Sequence, residues 1–132
     1  MRVEEARQFL ESNHRAVVAT YRPDGVAQLS PVSIGVDAEG RAIVSSTEAT
    51  AKVRNLRRDP RVVACVINDQ FFGPWISMEG TVDIVSMPEA LEPLVDYYRR
   101  LSGEHPDWED YRAAMARDRR VLIRIAIERA AG

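Results

Sequence analysis

The stretch SSTEATAKVRNLRRDPRVVACVI, residues 45–67, contains the clearest succession of structural signals in the chain. Its first residues end a predicted strand over 41–46, and helical spacing of apolar residues then predicts a helix over 47–58. Asp59–Pro60 stops that helix, because proline cannot continue it. The apolar run VVACVI predicts a strand over 61–68 that is buried on both faces. Strand, short helix and strand in direct succession indicate a mixed α and β architecture.

Upstream of this stretch, the sequence predicts a helix and two hairpins. Apolar residues at helical spacing indicate an amphipathic helix over 3–13. Strands over 16–21 and 26–36 are joined by Arg22–Pro23–Asp24–Gly25, in which proline presets one dihedral angle and Asp-Gly favours positive φ. The turn Asp37–Ala38–Glu39–Gly40 leads on to the strand at 41–46. Three strands joined by tight turns form a meander.

Downstream, alternating apolar and polar residues predict a long strand over 75–85. A helix is predicted over 86–101, with serine as its cap and proline in its first turn, followed by a helix over 108–116 and a strand over 121–127. Neither GxGxxG nor a P-loop motif occurs, which argues against a doubly wound nucleotide-binding fold. We therefore predict a single domain over residues 1–132 of the α+β class. Its six antiparallel strands close into a small barrel, which removes exposed edges.

Composition and charge limit the partners and the compartment. The net charge of −2 argues against nucleic acid as the main partner, because binding to phosphate backbones needs a positive surface. No apolar run approaches the length of a membrane span, and the acidic first residues MRVEEARQFL do not resemble a signal peptide. We therefore expect a cytoplasmic protein without a membrane partner. Cys65, the only cysteine, is predicted to be an inert buried thiol, and His14 and His105 lie too far apart to predict a metal site.

The start of the helix predicted over 47–58 suggests an anion site. The chain has 17 arginines but a single lysine, Lys52, which falls near the first turn of that helix. The hydroxyl residues Ser45, Ser46 and Thr47 precede it. Unpaired N–H groups at a helix start attract phosphate, and a lysine side chain can reach the same anion. The alternative is an ordinary capped helix with a solvated basic face.

A longer pattern identifies a family. The run ATAKVRNLRRDPRVVACV, residues 49–66, resembles the pattern K-x-x-N-L-x-x-D-P-R of the pyridoxamine-phosphate-oxidase-like split β-barrel proteins. The segments GVAQLSPVSIGVD (residues 25–37) and WISMEGTVDIV (residues 75–85) fit the same family in the same order. The segment YYRRLSGEHPDWEDYRAAMARDRRVLIRI, residues 97–125, resembles the actinobacterial branch that uses the deazaflavin coenzyme F420.

The resemblance implies a homodimer of split barrels with two cofactor sites at the interface. The cofactor would be F420 or, as the alternative, FMN. In this family Lys52 and the hydroxyls of Ser45, Ser46 and Thr47 correspond to the phosphate site. The acidic F420 tail would meet Arg54 and Arg57, together with Arg119–Arg120. Residues beside the ring would be Gln28, Leu29, Ser30, Pro31 and Val32, with Trp75 and Ile76 supplied by the other subunit.

The function implied is a reductase that passes a hydride from reduced F420 to a small conjugated organic molecule. Two alternatives stay open: an FMN-dependent pyridoxamine-phosphate-oxidase-like oxidoreductase, and a non-catalytic carrier of flavin or haem. No Ser/His/Asp or Cys/His set can be assembled, so no catalytic side chain is predicted, and the cofactor would supply the reactive atom. The vitamin B6 oxidases carry a C-terminal Arg- and His-containing segment for the substrate phosphate. Since no such segment follows the last predicted strand, pyridoxamine phosphate is not the expected substrate.

Overall fold

The computed structural model describes all 132 residues as a six-stranded antiparallel barrel with four helices. Neighbouring strands follow the order β1-β2-β3-β6-β5-β4, and the barrel closes between β4 and β1. This confirms the predicted α+β class and the antiparallel barrel. The elements are α1 (Val3–Leu10), β1 (Arg15–Tyr21), β2 (Ala27–Val36), β3 (Ala42–Thr47), α2 (Ala51–Arg58), β4 (Arg61–Ile67), β5 (Trp75–Val85), α3 (Leu91–Ser102), α4 (Trp108–Arg117) and β6 (Arg120–Ala131).

The main core fills the barrel with every second side chain of the strands. In β4, Val62, Ala64 and Val66 point inward, while Cys65 is exposed. The predictions of a strand buried on both faces and of a buried Cys65 were therefore wrong. A barrel strand has only one interior face, and the outer face of β4 around Cys65 is open to solvent.

A second, smaller core lies outside the barrel, where α3 and α4 cover β3 and β6. Ile43 and Leu122 point outward from their strands and pack against Leu94 of α3 and Tyr111 of α4. The Tyr111 hydroxyl donates a hydrogen bond to the Leu94 carbonyl at 2.9 Å. One side of the barrel thus has two apolar layers, which fixes the helical pair against β3 and β6.

The barrel is split between β2 and β3. β2 pairs with β1 from Ala27 to Ser33, but pairs with β3 only from Ile34 to Val36. The other edge of the stretch Ala27–Ser33 therefore has no strand beside it. β3 pairs instead with β6 along its whole length, Ala42–Thr47. The opening left between β2 and β3 lies next to α2, whose Asn55 bonds to Gln28 across it.

Two helix starts differ from the sequence predictions. The helix predicted over 47–58 begins at Ala51, because Thr47 still pairs in β3 and the Thr50 side chain accepts the N–H of Val53 as the cap. The helix predicted over 86–101 begins at Leu91, since a turn at residues 87–90 separates it from β5. The last strand runs from Arg120 to Ala131, longer than predicted, because it pairs with β3 and then with β5.

Candidate functional site

A small cavity lined mainly by polar residues lies between β1, β2 and the beginning of α2, and we refer to it as the α2 cavity. Its volume is about 210 Å³, and Ala51 is its only apolar lining residue. Gln28, Ser30 and Lys52, three of the residues predicted for the cofactor site, meet here although they come from two separate elements. The six lining residues are Thr20, Gln28, Ser30, Thr50, Ala51 and Lys52.

Hydrogen bonds around Thr50 shape the rim of the cavity at the start of α2. The Thr50 hydroxyl donates to the Thr47 carbonyl at 3.1 Å and accepts the N–H of Val53 at 3.3 Å. Because the Thr50 proton is used in this way, the Ser46 hydroxyl is the donor in its 3.1 Å bond to Thr50. The N–H groups of Ala51 and Lys52, in the first turn, have no backbone acceptor. Such free N–H groups form a ready-made anion site.

Lys52 is half-buried at this rim and pairs with no carboxylate. Burial lowers the pKa of Lys52, and the nearby positive charge of Arg120 lowers it further. The Arg120 guanidinium is also without a carboxylate and donates two hydrogen bonds to the Ser45 hydroxyl, at 2.9 and 3.2 Å. Two neighbouring cations without an acid between them repel each other, and a bound anion would relieve that repulsion.

The basic residues without an acidic partner are clustered in two neighbouring segments, and one of them, Lys52, lines the α2 cavity. Thirteen of the 18 basic side chains form ion pairs with Asp or Glu. All others lie on α2 or at residues 119–120, where the turn after α4 leads into β6, and the pairing of Thr47 with Arg120 brings these two segments together. The positive charge is therefore local, on a chain whose net charge is negative. The five unpaired residues are Lys52, Arg54, Arg58, Arg119 and Arg120.

The two arginines of α2 that were predicted to meet an acidic tail differ in their surroundings. Arg54 is exposed, donates to the Ala49 carbonyl at 2.6 Å and has no carboxylate partner. Arg57 donates to a Glu48 carboxylate oxygen at 2.6 Å and to the Ser86 hydroxyl at 2.9 Å. The charge of Arg57 is thus already balanced, whereas that of Arg54 is available to a ligand.

The three consecutive hydroxyl residues predicted for the phosphate site do not converge. Ser46 points inward and contacts Thr50, whereas Ser45 and Thr47 lie on the opposite face of β3. Successive side chains of a strand alternate between its two faces, so three neighbours cannot reach one anion. Ser45 contacts Arg120 and thus lies beside the unpaired cations, outside the α2 cavity.

The same alternation divides the residues predicted to lie beside the cofactor ring. Gln28 and Ser30 line the α2 cavity, and Val32 packs against the barrel core. Leu29 and Pro31 face outward, and the Leu29 side chain is 66% exposed. Only the first group can contribute side chains to the cavity.

Leu29 and Pro31 belong to an exposed apolar surface on the outside of β1, β2, β4 and β5, which we call the outer patch. Strand register places Pro31 beside Val17, Val17 beside Cys65, and Ile67 beside Trp75. Trp75 is exposed here, whereas Ile76, the other residue expected to be supplied to a second subunit, is buried in the barrel core. The outer patch consists of Val17, Leu29, Pro31, Cys65 and Trp75.

Three residues around the opening were not predicted as site residues from the sequence. Asn55 is only 5% exposed, and its side-chain amide donates to Thr20 at 3.1 Å and to Gln28 at 3.0 Å. The Tyr97 hydroxyl of α3 donates to the Ser33 carbonyl at 2.8 Å, at the point where β2 leaves β3. Burial raises the pKa of Tyr97, so its hydroxyl stays protonated at neutral pH. Thr20 follows Ala16 and Val18 on the inward face of β1. A polar residue at a position that strand alternation assigns to the core was the signal in the sequence that could have identified Thr20.

No group of three or more His, Cys, Asp or Glu side chains is placed to hold a metal ion. None of the four helices has the length and apolar character needed to cross a membrane.

Comparison with known proteins gives a family match and several similar structures. A family model described as pyridoxamine 5'-phosphate oxidase matches residues 3–132. A conserved hypothetical protein from Mycobacterium tuberculosis is 29% identical, with a TM-score of 0.79 over 98% of this chain and 82% of that chain. A structure named F420 reductase is 24% identical, with a TM-score of 0.73 over 95% and 94% of the two chains. The haem storage protein HutZ from Vibrio cholerae is 18% identical, with a TM-score of 0.73 over 99% and 94%. The last two similarities show a shared fold.

Proposed function

Since the chain belongs to the pyridoxamine 5'-phosphate oxidase family, we propose that it is an oxidoreductase that binds coenzyme F420, with the cofactor phosphate in the α2 cavity. Its reaction would pass a hydride between the deazaflavin and a small conjugated organic molecule. The observation that carries this proposal is the cluster of unpaired basic residues on α2 and at residues 119–120, of which Lys52 lines the α2 cavity. A phosphate group would supply the negative charge that these side chains lack.

The residues of the α2 cavity suit a phosphate. Lys52 supplies a charge, and the N–H groups of Ala51 and Lys52 supply free backbone donors at the positive end of α2. The cavity contains no carboxylate that would repel an anion. A bound phosphate would offset the burial and the repulsion from Arg120 that lower the pKa of Lys52.

The free edge of β2 suits the ring. Between Ala27 and Ser33 this edge has no strand beside it, so main-chain groups are available to the carbonyl and N–H groups of a flavin-type ring. When bound, such a cofactor would supply the hydride-carrying atom. The chain's part is to hold the phosphate, orient the ring along β2 and exclude water. Tyr97 supports this arrangement by holding the Ser33 carbonyl at the closed end of the split.

The unpaired cations also favour F420 over FMN. F420 has additional carboxylates in its tail, which need positive partners outside the phosphate site. Arg54 and Arg119 are free to provide them, because neither forms an ion pair. Arg57 is less suitable because Glu48 already neutralises it.

The outer patch suits a second copy of this chain. It is mostly apolar, extends over four strands and includes Leu29 and Pro31 of β2, the strand that also lines the α2 cavity. A homodimer packed through this surface would bring a second subunit close to each cofactor site. The neighbouring loop carries Phe71 and Phe72, and Phe72 is 97% exposed. Analytical ultracentrifugation should give a dimer for the natural chain and a monomer for Val17→Glu. A monomeric natural chain would overturn this part of the proposal.

The first test is a fluorescence titration of the purified protein with F420 and, separately, with FMN. We expect F420 to bind more tightly, and reduced F420 to be oxidised in the presence of some members of a panel of conjugated acceptors. Preference for FMN would indicate the flavin-dependent alternative. Tight F420 binding without oxidation by any acceptor would indicate a carrier, and binding of neither cofactor would refute the proposed site.

A further inference from the structure

We infer that a hydrogen-bond relay from Arg58 through Asn55 fixes the Gln28 side chain as a donor to the bound phosphate. Because its amide nitrogen then faces the α2 cavity, Gln28 makes the cavity selective for a ligand group that accepts hydrogen bonds. The inference rests on the proposed function, since it assumes that the cofactor phosphate occupies this cavity. It follows from the donor and acceptor capacity of three side chains taken in order.

The relay begins at Arg58, which has only donors. A guanidinium group stays protonated in proteins and has no acceptor atom. Arg58 donates to the Tyr21 carbonyl at 2.6 Å and to the side-chain oxygen of Asn55 at 3.1 Å. The amide of Asn55 therefore has only one workable orientation, with its oxygen toward Arg58 and its nitrogen away from it.

The second step passes this orientation on to Gln28. The Asn55 Nδ2 group donates to the Thr20 hydroxyl at 3.1 Å and to Gln28 Oε1 at 3.0 Å. Asn55 and Thr20 are 5% and 1% exposed, so water does not compete for the bond between them, whereas Gln28 is exposed and accepts its bond at the edge of the cavity. A donor group facing Gln28 requires an acceptor there, which fixes Oε1 toward Asn55.

The third step concerns the α2 cavity. With Oε1 engaged, Gln28 keeps an Nε2 group with two protons and no partner in the protein, and this side chain lines the cavity together with Lys52. The Thr20 hydroxyl also accepts from Asn55, so its own proton remains free at the same wall. The ammonium, amide and hydroxyl groups thus all present donors, and a phosphoryl oxygen, with several lone pairs, is the acceptor that satisfies them together.

The relay also accounts for an otherwise unexplained arginine. Arg58 lies at the last turn of α2 without a carboxylate partner, although most arginines of the chain have one. Its permanent positive charge fixes the direction of the hydrogen bonds through Asn55 and Gln28, which end at the proposed phosphate site. Since arginine does not titrate near neutral pH, this direction does not change with pH.

The test is a double-mutant cycle in which the affinity for F420 is measured by fluorescence titration. In Asn55→Asp, the carboxylate accepts from Arg58 and also from Gln28, so the Gln28 amide must rotate and turn its oxygen toward the cavity. We expect roughly tenfold weaker binding from this change in the natural chain, as for the loss of a hydrogen bond to a charged group. In the Gln28→Leu background no amide remains to rotate and only the repulsion between the new carboxylate and the phosphate is left, so the loss should be several-fold smaller than in the natural chain. Equal losses in both backgrounds would overturn the relay.

A second pair of measurements keeps the test decisive if Asn55→Asp does not fold. Gln28→Glu preserves shape but removes the donor, so it should bind F420 more weakly than Gln28→Leu, and the reverse order would overturn the inference. The parent deazaflavin lacking the phosphate should bind Gln28→Leu and the natural chain equally, and an equal loss for both ligands would contradict contact with phosphate. Lys52→Ala is measured in parallel. If it binds F420 like the natural chain, the proposed function fails, whereas a large loss without coupling in the cycle refutes only the relay.

Discussion

Two depressions on the surface of the protein differ in size and in charge. The larger, with a volume of about 470 Å³, lies between α1 and the turn that joins β2 to β3, and we refer to it as the α1 groove. The α2 cavity has less than half this volume. Size alone would therefore select the α1 groove as the binding site.

The basic groups of the α1 groove are satisfied by the protein itself. Arg7 donates to the Gly40 carbonyl and pairs with Glu4, and Arg100 pairs with Asp96. The lining is also rich in carboxylates, which would repel an anion: Glu4, Glu11, Asp37 and Glu39. The α2 cavity has the opposite character, with a half-buried Lys52 that no acid neutralises. Unsatisfied donors and charges, rather than volume, are therefore the basis on which the α2 cavity is proposed as the ligand site.

The largest expected effect is the loss of the Lys52 charge. Lys52→Ala should weaken F420 binding by roughly 10- to 100-fold, because it removes a charge-assisted contact worth about 1.5–3 kcal/mol. Arg7→Ala in the α1 groove is the matched control, and it should change the affinity by less than about twofold. Fluorescence titration of both variants checks the contrast. A larger loss for Arg7→Ala than for Lys52→Ala would reverse the assignment of the two depressions.

The second prediction concerns pH and uses the lowered pKa of Lys52. Below that pKa the free protein carries the ammonium group, and F420 affinity should be independent of this residue's titration. Above it, binding must restore the proton, so the affinity should fall by up to about tenfold per pH unit. Because burial and Arg120 lower the pKa, the fall should begin at a lower pH than for an ordinary lysine. In Lys52→Arg the fall should disappear, and its persistence would assign the titration to another group.

The third prediction compares the first turns of the two helices that border these depressions. Thr50→Ala removes the cap of α2 and should lower the free energy of unfolding by about 1 kcal/mol. The first turn of α1 is held by an exposed contact between Arg2 and Glu5, so Glu5→Gln should have a smaller effect. Chemical denaturation measures both changes. Equal effects would show that the Thr50 cap contributes no more than an exposed pair.

The smallest expected effect separates two arginines of α2. Arg54→Ala should weaken F420 binding by about two- to fivefold, because its exposed charge is free to meet the acidic tail. Arg57→Ala should have less effect, since Glu48 already balances that charge. FMN, which lacks the tail, should bind both variants like the natural chain. Equal losses of F420 and FMN affinity in Arg54→Ala would argue against a tail contact.

The outer patch shows where reasoning from the sequence failed. The run VVACVI looked buried on both faces, yet Cys65 is exposed. The sequence of an apolar strand is the same whether its second face is covered by the same chain or is exposed and available to another subunit. Only the position of α3 and α4 over β3 and β6, on another part of the barrel, shows that no helix of this chain covers Cys65.

The sequence by itself determined the features that depend on neighbours along the chain. The hairpin turns, the order of helices and strands, and the place of Lys52 at the start of α2 follow from local dihedral preferences and from the spacing of apolar residues. Only the tertiary structure decided which side chains share the α2 cavity. Gln28 and Asn55 are 27 residues apart, and Ser45 and Arg120 are 75 apart. Strand register and the closure of the barrel bring such pairs together, and neither depends on neighbours along the chain. The alternation of β3 likewise separated Ser46 from Ser45 and Thr47, although the three are adjacent in sequence.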